Sequence, residues 1–387
     1  MSQLLLDSPA TTRTGAPFVS IIMPCLNESQ TVAACVEKAY LWLDQAELDG
    51  EVIVVDNGSR DGSAELAIAA GARVVTEVAR GYGYALRRGF AEARGDWLVM
   101  GDSDGTYDFS DLDALIEALA DGADLSIGNR YAGGIAPGAM RWSHRYIGTP
   151  AISLLLRLLT GLELRDSQCG LRAITREALD RLDLQTNGME LASEMILKAG
   201  RRELKVAEVP APYAERQGEA KLNTFRDGWR HLRFLILASP NYLFTLPGAF
   251  MMALGILILS ATAITPGDRI EIRDVRWQPI FACTIFVVVG FNALMLGVAS
   301  RLYTSARGIT NEDFLTRFYR RFLSFEVFVL AGLAMVAAGI LLDLTSLAAG
   351  PGAGSISTAA IAQALIIVGA NCGLVGALAS LLDERQR

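Results

Sequence analysis

The sequence predicts an α/β domain with a mostly parallel sheet, followed by an α-helical membrane domain of four spans. Two observations lead to this prediction. Over residues 18–130, short β-branched runs alternate with amphipathic helical patterns, which is typical of a parallel sheet covered by helices. After residue 240, charged residues become scarce in a chain in which they make up only 20%, below the roughly 25% of an ordinary soluble domain. We therefore expect a water-soluble first part and a membrane-embedded second part.

The overall charge, the cysteines and the first residues argue against several classes of protein. With 35 basic and 42 acidic residues, the chain has a net charge of −7, which does not favour nucleic acid as a partner. The five cysteines are widely spaced and never form a Cys-x-x-Cys pair, so neither a disulfide framework nor a zinc site is indicated. Residues 1–17 lack the basic start and long apolar run of a signal peptide, and they are predicted to be a leader segment.

Five strands and four helices are predicted in the first 130 residues. The strands are FVSIIM, EVIVV, ARVVTEV, DWLVM and DLSIG, and the helices begin near Ser29, Ser63, Gly83 and Ser110. Ligands of such sheets bind beyond the carboxyl ends of the strands. The loops that follow the strands are therefore the predicted location of a functional site.

Carboxylates follow three of these strands. Glu28 comes after the first strand, Asp56 ends the second, and Asp102 and Asp104 follow the fourth. Carboxylates that converge on one edge repel each other unless a cation joins them, and hard oxygen ligands suit Mg²⁺ or Mn²⁺. An Asp-x-Asp sequence directly after a strand also places two side chains on one side of the chain. The sequence therefore predicts that Asp102 and Asp104 hold a divalent cation.

Two other patterns favour structural roles. Asp61 is expected to cap the helix that begins near Ser63. The segment GYGYALRRG nearly matches the dinucleotide-binding pattern, but it lacks the third glycine and follows the third strand rather than the first. Gly81 and Gly83 are therefore expected to make a turn sterically permissive, with Arg80 near a ligand phosphate as the alternative.

Two segments before the membrane domain are candidates for helices at the membrane surface. In residues 223–240, Phe225, Trp229 and Leu232 recur at helical spacing opposite arginines, which predicts an amphipathic juxtamembrane helix on the inner leaflet. Residues 146–162 are apolar but too short for a confident span, and Arg157 interrupts them. A buried core helix is the alternative for that second segment.

Four apolar stretches are each long enough to cross a bilayer, which takes about 20 residues. These stretches cover residues 241–264, 278–300, 322–342 and 359–382. Only the third contains a charged residue, Glu326, close enough to one end for its carboxylate to reach the interface. The predicted domains are a leader over 1–17, an α/β domain over 18–222, the juxtamembrane helix over 223–240 and a membrane domain over 241–387. If the chain forms a homo-oligomer, we expect the membrane helices to supply its interface.

The distribution of arginine predicts the orientation of the spans. The loop over 301–321 carries five arginines, whereas the loop over 343–358 carries no basic residue. Loops rich in basic residues stay in the cytoplasm. We therefore expect a multi-pass protein of the inner or plasma membrane, with the α/β domain and both chain termini in the cytoplasm.

Six motifs, taken in order, resemble a known family. They are PCLNE, VVDNGSRDGS, GDSDG, GNRYAGG, DSQCGLRA and EVPAPYAERQGEAK. Together they are similar to family-2 glycosyltransferases of the dolichol-phosphate mannose synthase and polyprenyl-phosphate glucosyltransferase group, over about residues 18–235. The resemblance implies a GT-A fold, a nucleotide-diphosphate sugar such as UDP-glucose or GDP-mannose as donor, and Mg²⁺ or Mn²⁺. It also implies inverting transfer of a hexose to a dolichyl or undecaprenyl phosphate, giving a lipid-phosphate sugar for envelope glycans or protein glycosylation.

The resemblance also implies roles for individual residues. It places Pro24, Asn27, Glu28 and Asp56 at the nucleotide, Asp102 and Asp104 at the metal and donor, Arg130 at the acceptor phosphate, and Arg216 and Lys221 as a basic pair that holds phosphates. Of these, Asp104, Arg130, Arg216 and Lys221 are the implied catalytic residues. Asp166, Gly170 and Arg172 match the loop before the last catalytic helix, and Glu194 matches the acid of a following helix motif.

Two positions depart from the family pattern. Asn57 stands where many mannose synthases have a second acid, and Ala220 stands where serine usually precedes the lysine. These departures weaken the assignment of the donor more than that of the reaction.

The implied chemistry is consistent with the residues present. A lipid monophosphate is mostly dianionic at neutral pH, so it can attack without a general base. The developing charge on the departing nucleotide diphosphate is what a metal ion would stabilise. One alternative is a processive polysaccharide synthase, although the Gln-x-x-Arg-Trp sequence of those enzymes does not occur here. The other is a non-catalytic membrane protein that senses sugar nucleotides or moves lipids.

Overall fold

The computed structural model divides by its contacts into two compact units, Met1–Leu235 and Ile236–Arg387. It describes residues 19–218, 224–239, 241–264, 270–272, 275–277, 280–306, 314, 317–319, 325–348 and 356–384. The predicted leader over 1–17 and the predicted catalytic residue Lys221 lie outside the described residues.

In the described part of the first unit, seven strands form one sheet in the order β3-β2-β1-β4-β6-β5-β7. The strands are β1 (Val19–Cys25), β2 (Gly50–Asp56), β3 (Arg73–Thr76), β4 (Trp97–Met100), β5 (Leu125–Asn129), β6 (Arg172–Thr175) and β7 (Val206–Pro210). All neighbouring pairs are parallel except those of β6, which runs antiparallel to both β4 and β5. The predicted mostly parallel α/β fold is therefore confirmed.

The helices described along residues 19–239 are α1 (Val32–Gln45), α2 (Ser63–Ala69), α3 (Tyr82–Glu92), α4 (Asp113–Ala120), α5 (Arg130–Gly133), α6 (Thr149–Thr160), α7 (Arg176–Leu182), α8 (Leu191–Arg201) and α9 (Thr224–Ala238). Several of them pack against the strands of the sheet, among them α1, α3 and α4. The inner strand β1 is buried along almost its whole length, which is typical of a strand covered on two faces. Helix α1 buries Val32, Cys35, Val36 and Ala39 at helical spacing.

Helix α6 lies in the segment for which the sequence predicts either a membrane-surface helix or a buried core helix. Its structure matches each of these alternatives only in part. Thr149, Ser153 and Leu156 are buried, so one face belongs to the core of the unit. On the opposite face, Leu154 and Leu158 are exposed. A π-helical turn, His144–Gly148, leads into the helix.

The second unit contains α10 (Leu246–Ile264), α11 (Ile280–Ala306), α12 (Phe325–Ala348) and α13 (Ile356–Glu384). Within the described residues, these four helices are long and apolar enough to cross a membrane. The part of the chain that the structure describes therefore contains the four apolar helices that the sequence predicts. A short hairpin of β8 (Ile270–Ile272) and β9 (Val275–Trp277) lies between the first two helices.

Glycines allow close approach of the membrane helices. A Cβ atom on Gly332 of α12 would meet the carbonyl oxygen of Gly369 in α13, and the reverse also holds. Gly248 of α10 and Gly290 of α11 approach in the same way. Small residues at such contacts are typical of membrane helix pairs, which gain little from the hydrophobic effect.

Candidate active site

The carboxyl ends of β1, β2 and β4 meet at one edge of the sheet because these strands are parallel. A cavity of about 730 Å³ opens at this edge. The predicted site residues in its lining are Pro24, Glu28, Asp102, Asp104 and Arg216. Its volume falls within the roughly 300–1,000 Å³ typical of small-molecule sites.

The loop that carries Asp102 and Asp104 is tied to the first strand and helix. The Ser103 hydroxyl donates to the Pro24 carbonyl at 2.9 Å, and the Thr31 hydroxyl donates to the Ser103 carbonyl at 2.6 Å. Asp104 accepts hydrogen bonds from both the backbone N–H and the hydroxyl of Thr106. Asp104 is therefore held in place before any ligand binds.

The two aspartates are electrostatically unfavourable as a pair. Burial, and next the nearby charge of Asp104, raise the pKa of Asp102 above its ordinary value, and a hydrogen bond with Tyr82 acts in the opposite direction. No cluster of three or more potential metal-ligating side chains occurs among the described residues. Magnesium sites often use one or two carboxylates together with substrate phosphates. The aspartate pair fits that kind of site.

Arg216 connects two loops of the rim. Its guanidinium donates to the Glu28 carboxylate and lies 3.3 Å from an Asp104 oxygen. The backbone of its loop is also attached, since the Gln217 N–H donates to the Asp104 carbonyl at 3.3 Å. The Nε of Arg216 has no hydrogen-bond partner within the described part of the chain. A buried donor of this kind is suited to an anionic ligand.

Asn27 and Asp56 organise the loops at the rim. The Asn27 N–H donates to the Ser59 hydroxyl, its side-chain oxygen accepts from the Arg60 N–H, and Asp56 accepts from the Ser59 N–H. Asn27 has a φ of 53°, a left-handed conformation in which asparagine is enriched. The implied contacts of both residues with a nucleotide stay a prediction.

Asp61 has a structural role next to the start of α2, although it is not the N-cap residue that the sequence predicts. It accepts hydrogen bonds from the N–H groups of Ser63 and of Ser29 in the neighbouring loop, at 3.2 and 3.0 Å. Burial raises the pKa of Asp61, but hydrogen bonds from the Ser63 hydroxyl and from the Ser29 and Ser63 N–H groups outweigh it and lower the pKa to about 2. The capping position itself is taken by Gly62, one residue later than predicted.

Arg130 forms a buried ion pair that its motif did not reveal. Its Nε and Nη2 atoms donate to the two carboxylate oxygens of Asp166 at 2.7 and 2.8 Å. Arg130 is only 7% exposed and Asp166 is fully buried. The guanidinium also lies 5.1 Å from the ring centroid of Tyr213, a residue of the cavity lining. The predicted contact of Arg130 with an acceptor phosphate is untested, and two of its nitrogens are already engaged.

Arg172 and Glu194 fix neighbouring backbone segments through hydrogen bonds of their side chains. Arg172 is fully buried and donates to the carbonyls of Cys169, Ala192 and Ser167. Glu194 pairs with Lys198 at 2.8 Å. It also accepts from the N–H groups of residues 185 and 186, which belong to the loop between α7 and α8.

Gly170 allows the loop before β6 to approach the acidic rim. A Cβ atom at Gly170 would lie 2.8 Å from an Asp102 carboxylate oxygen. Only glycine leaves room for both groups at this position.

The loop between α7 and α8 packs on the glycine-rich turn. The N–H groups of Gly83 and Tyr84 donate to the Asn187 carbonyl at 3.1 and 3.3 Å. These N–H groups at the start of α3 therefore have a hydrogen-bond partner in the protein backbone and do not need a phosphate as their acceptor. The expected role of Gly81 and Gly83 in a permissive turn is confirmed, while Arg80 does line the cavity.

Asn57, which stands where many mannose synthases have a second acid, has a structural role that requires an amide. Its amide nitrogen donates to the carbonyls of Glu77 and Ala79, and its amide oxygen accepts from the Gly81 N–H at 2.8 Å. An ionised carboxylate has no donor and could not make the first two bonds. Asn57 therefore fixes the turn that carries Arg80.

Gly83→Ala is expected to lower the free energy of unfolding by about 1–3 kcal/mol, because overpacking against rigid atoms is destabilising. The new Cβ would lie 2.6 Å from the Thr186 carbonyl oxygen and 2.7 Å from the Asn187 carbonyl carbon. Denaturant or thermal unfolding of the purified protein measures the change. Gly228→Ala is the control, since nothing lies within 4 Å of that position in α9. Equal stability of the Gly83 variant and the wild-type protein would contradict the packing described here.

The cavity lining also includes residues that the sequence did not indicate, among them Tyr82, Glu190 and Tyr213. An Oε of Glu190 is buried without a hydrogen-bond partner among the described residues, and its carboxylate lies against Gly188. The Gly-x-Glu sequence immediately before α8 was the available signal. It could not be linked to the acidic loop because about 90 residues separate the two in the chain.

The sheet topology and the acidic rim at its carboxyl edge define the catalytic domain of a GT-A glycosyltransferase, here followed by membrane-type helices. The family model described as glycosyl transferase family 2 matches residues 20–183. The low-salt glycan biosynthesis hexosyltransferase Agl6 of Haloferax volcanii is 34% identical over 363 residues, which cover 91% of this chain and 86% of that protein. This chain belongs to glycosyltransferase family 2.

The chain is also similar to other proteins. The dolichyl-phosphate hexose transferase of Haloferax volcanii is 32% identical over 212 residues, or 54% of this chain and 89% of that protein. Among solved structures, glucosyl-3-phosphoglycerate synthase from Mycobacterium tuberculosis, in complex with Mn²⁺, UDP and glucosyl-3-phosphoglycerate, matches with a TM-score of 0.47 and 24% identity. That match covers 57% of this chain and 79% of the other.

Proposed function

We propose that this glycosyltransferase transfers a hexose from a nucleotide-diphosphate sugar to a polyprenyl phosphate in the membrane, with inversion at the anomeric carbon. The proposal is supported by the ion pairs of Arg216 with Glu28 and Asp104 at the cavity, because they place a fixed arginine beside a carboxylate that would hold a cation. The four apolar helices and the relative named as a dolichyl-phosphate hexose transferase support a lipid acceptor.

Asp102 and Asp104 would hold Mg²⁺ or Mn²⁺ together with the donor diphosphate. The bound ion would stabilise the negative charge that develops on the departing nucleotide diphosphate. On the protein side, Pro24, Asn27, Glu28 and Asp56 would form the nucleotide end of the site.

Arg216, with Lys221 and the remaining edge of Arg130, would align the acceptor phosphate with the anomeric carbon. Two anions that repel each other in water react faster when fixed cations hold them in line. The acceptor oxygen is already deprotonated at neutral pH. No side chain is therefore needed as a general base.

Glu190 would bind the transferred sugar. Glu190 lines the same cavity as the aspartate pair, and one of its carboxylate oxygens has no hydrogen-bond partner among the described residues. A carboxylate accepts hydrogen bonds from hydroxyl groups, and hexoses present several of them. This residue is the candidate for selection among hexose donors.

A screen of radiolabelled sugar nucleotides tests the proposal. Membranes containing the protein are supplied with polyprenyl phosphate and a panel of UDP- and GDP-sugars, and the lipid fraction is analysed. We expect one labelled lipid monophosphate sugar that requires Mg²⁺ or Mn²⁺. A labelled polymer would favour a polysaccharide synthase, and nucleotide binding without transfer would favour a non-catalytic sensor.

We further propose that the catalytic unit and both termini are cytoplasmic. Tags placed at residue 1 and after residue 387 are expected to be accessible only from the cytoplasmic side, and a probe within 346–356 only from outside. The arginine-rich loop over 301–321 is the physical reason. Protease protection in oriented membrane vesicles measures this. An external tag after residue 387 would contradict an even number of spans.

A further inference from the structure

Tyr82, the first residue of α3, contacts one of the two aspartates of the acidic rim. Its side chain lines the cavity together with Asp102 and Asp104, and its hydroxyl donates a hydrogen bond to the Asp102 carboxylate. A phenol is protonated at neutral pH, so this hydroxyl is a donor to an ionised carboxylate. Tyr82 is therefore a direct neighbour of a group that would hold the divalent cation.

The two aspartates differ in how they are held. Asp104 accepts two hydrogen bonds from Thr106 and pairs with Arg216. For Asp102, the hydrogen-bond donor among the described residues is the Tyr82 hydroxyl. The orientation of the Asp102 carboxylate therefore depends on this phenol, whereas that of Asp104 is fixed within its own loop.

The backbone that carries Tyr82 is fixed on both sides of this residue. The Gly81 N–H donates to the side-chain oxygen of Asn57 at 2.8 Å. The Gly83 N–H donates to the Asn187 carbonyl at 3.1 Å. The phenol is thus attached to a turn that two other loops hold in place, and it can act as a fixed donor.

The backbone of Gly170 limits the movement of Asp102 as well. A Cβ atom at Gly170 would lie 2.8 Å from an Asp102 carboxylate oxygen, so the loop before β6 lies close to this carboxylate. The Gly170 N–H in turn donates to the Tyr107 hydroxyl at 2.7 Å. Two fixed neighbours, the Tyr82 phenol and the Gly170 backbone, therefore restrict the carboxylate.

We infer that Tyr82 is a positioning residue that holds the Asp102 carboxylate in the orientation needed to bind the divalent cation. This inference rests on the proposed function, in which Asp102 and Asp104 hold Mg²⁺ or Mn²⁺. Groups that form hydrogen bonds to a ligating side chain orient it, and their removal typically weakens metal binding by about 10–100-fold.

Mn²⁺ binding to the full-length protein in detergent tests this role. Free Mn²⁺ is measured by electron paramagnetic resonance in the presence of UDP and, separately, of GDP. Each nucleotide without protein corrects for the Mn²⁺ that it binds in solution. We expect Tyr82→Phe to raise the apparent dissociation constant of Mn²⁺ about tenfold, because the variant lacks only the hydroxyl. Thermal unfolding checks that the variant keeps its fold.

Tyr84→Phe is the matched control. Tyr84 lies on the same helix, is half-buried like Tyr82 and also lines the cavity. Its hydroxyl forms no hydrogen bond with Asp102 or Asp104. We expect this variant to bind Mn²⁺ as tightly as the wild-type protein. Equal weakening in both variants would contradict the specific role of the Tyr82 hydroxyl.

The metal dependence of sugar transfer gives a second readout that a purely structural role would not change. We expect Tyr82→Phe to need about tenfold more Mn²⁺ for half-maximal transfer, and saturating Mn²⁺ to restore most of the rate. A loss of rate that saturating Mn²⁺ does not restore, in a variant with wild-type Mn²⁺ affinity, would overturn the inference.

Asp104→Ala separates a failure of this inference from a failure of the proposed function. Wild-type Mn²⁺ affinity in Tyr82→Phe, together with lost affinity in Asp104→Ala, would refute the positioning role and leave the metal site intact. Equal Mn²⁺ binding by the wild-type protein and Asp104→Ala would refute the metal site of the proposed function itself.

Discussion

Asp104→Ala is expected to lower the rate of sugar transfer by about 10²–10³-fold, the usual cost of losing one electrostatic contact in a transition state. The variant is expected to fold and insert into membranes, because Asp104 lies on a loop and contributes no apolar packing. It is bonded to Thr106 and Arg216, both of which retain other contacts. Initial rates at saturating Mg²⁺ or Mn²⁺ measure the effect.

Asp108→Ala is the matched control for this experiment. Asp108 lies four residues further along the same loop, is exposed, and pairs with Lys38 at 3.1 Å. An exposed ion pair contributes at most about 1 kcal/mol to stability. We therefore expect almost unchanged transfer from this variant. Near-wild-type turnover of Asp104→Ala would contradict the proposed role of Asp104 as a metal ligand. Equal losses of transfer rate in both variants would indicate a general effect on the loop.

Arg130→Ala is expected to have the second-largest effect. It should lower both the stability of the protein and the rate of sugar transfer. Removing Arg130 would leave the fully buried Asp166 carboxylate without its partner. Breaking a buried pair in this way costs about 3–5 kcal/mol. Arg130→Lys keeps the charge but cannot form both bonds of the planar fork, so it is also expected to be impaired. Thermal unfolding compares both variants with Arg165→Ala, which changes an exposed neighbour of Asp166.

Kinetics then separate the predicted acceptor role from a purely structural one. If Arg130 contacts the acceptor phosphate, Arg130→Lys should lose apparent affinity for polyprenyl phosphate and keep its calorimetric affinity for the nucleotide. Lost nucleotide affinity with normal acceptor affinity would instead place Arg130 at the donor side. Wild-type stability of Arg130→Ala would contradict the importance of its pair with Asp166.

The sequence by itself determined the features that depend on local periodicity. Alternating β-branched and amphipathic segments predicted the α/β fold, and runs of about 20 apolar residues predicted the four spans. The position of Asp102 and Asp104 directly after a strand located the acidic rim, because parallel strands bring their carboxyl ends to one edge. Six ordered motifs indicated the family before any contact was known.

Tertiary structure decided what depends on pairing between distant segments. The antiparallel insertion of β6 between β4 and β5 has no local signature, since a four-residue strand reads the same in either direction. The Arg216–Glu28 bridge joins residues 188 positions apart, and the Asp166 carboxylate lies 36 positions from Arg130. These contacts place the two arginines differently, one in the cavity wall and the other in a buried ion pair.

In helix α6, the sequence and the tertiary structure again determine different features. Its sequence is apolar on nearly every side, so composition could not separate a core helix from a membrane-surface helix. The hydrogen bonds between Ser153 and Ser167 fix which face turns inward. Leu154 and Leu158 are consequently left outside. Periodicity identifies a helix, but only its neighbours determine which of two apolar faces is buried, because burial is a property of the whole packed chain.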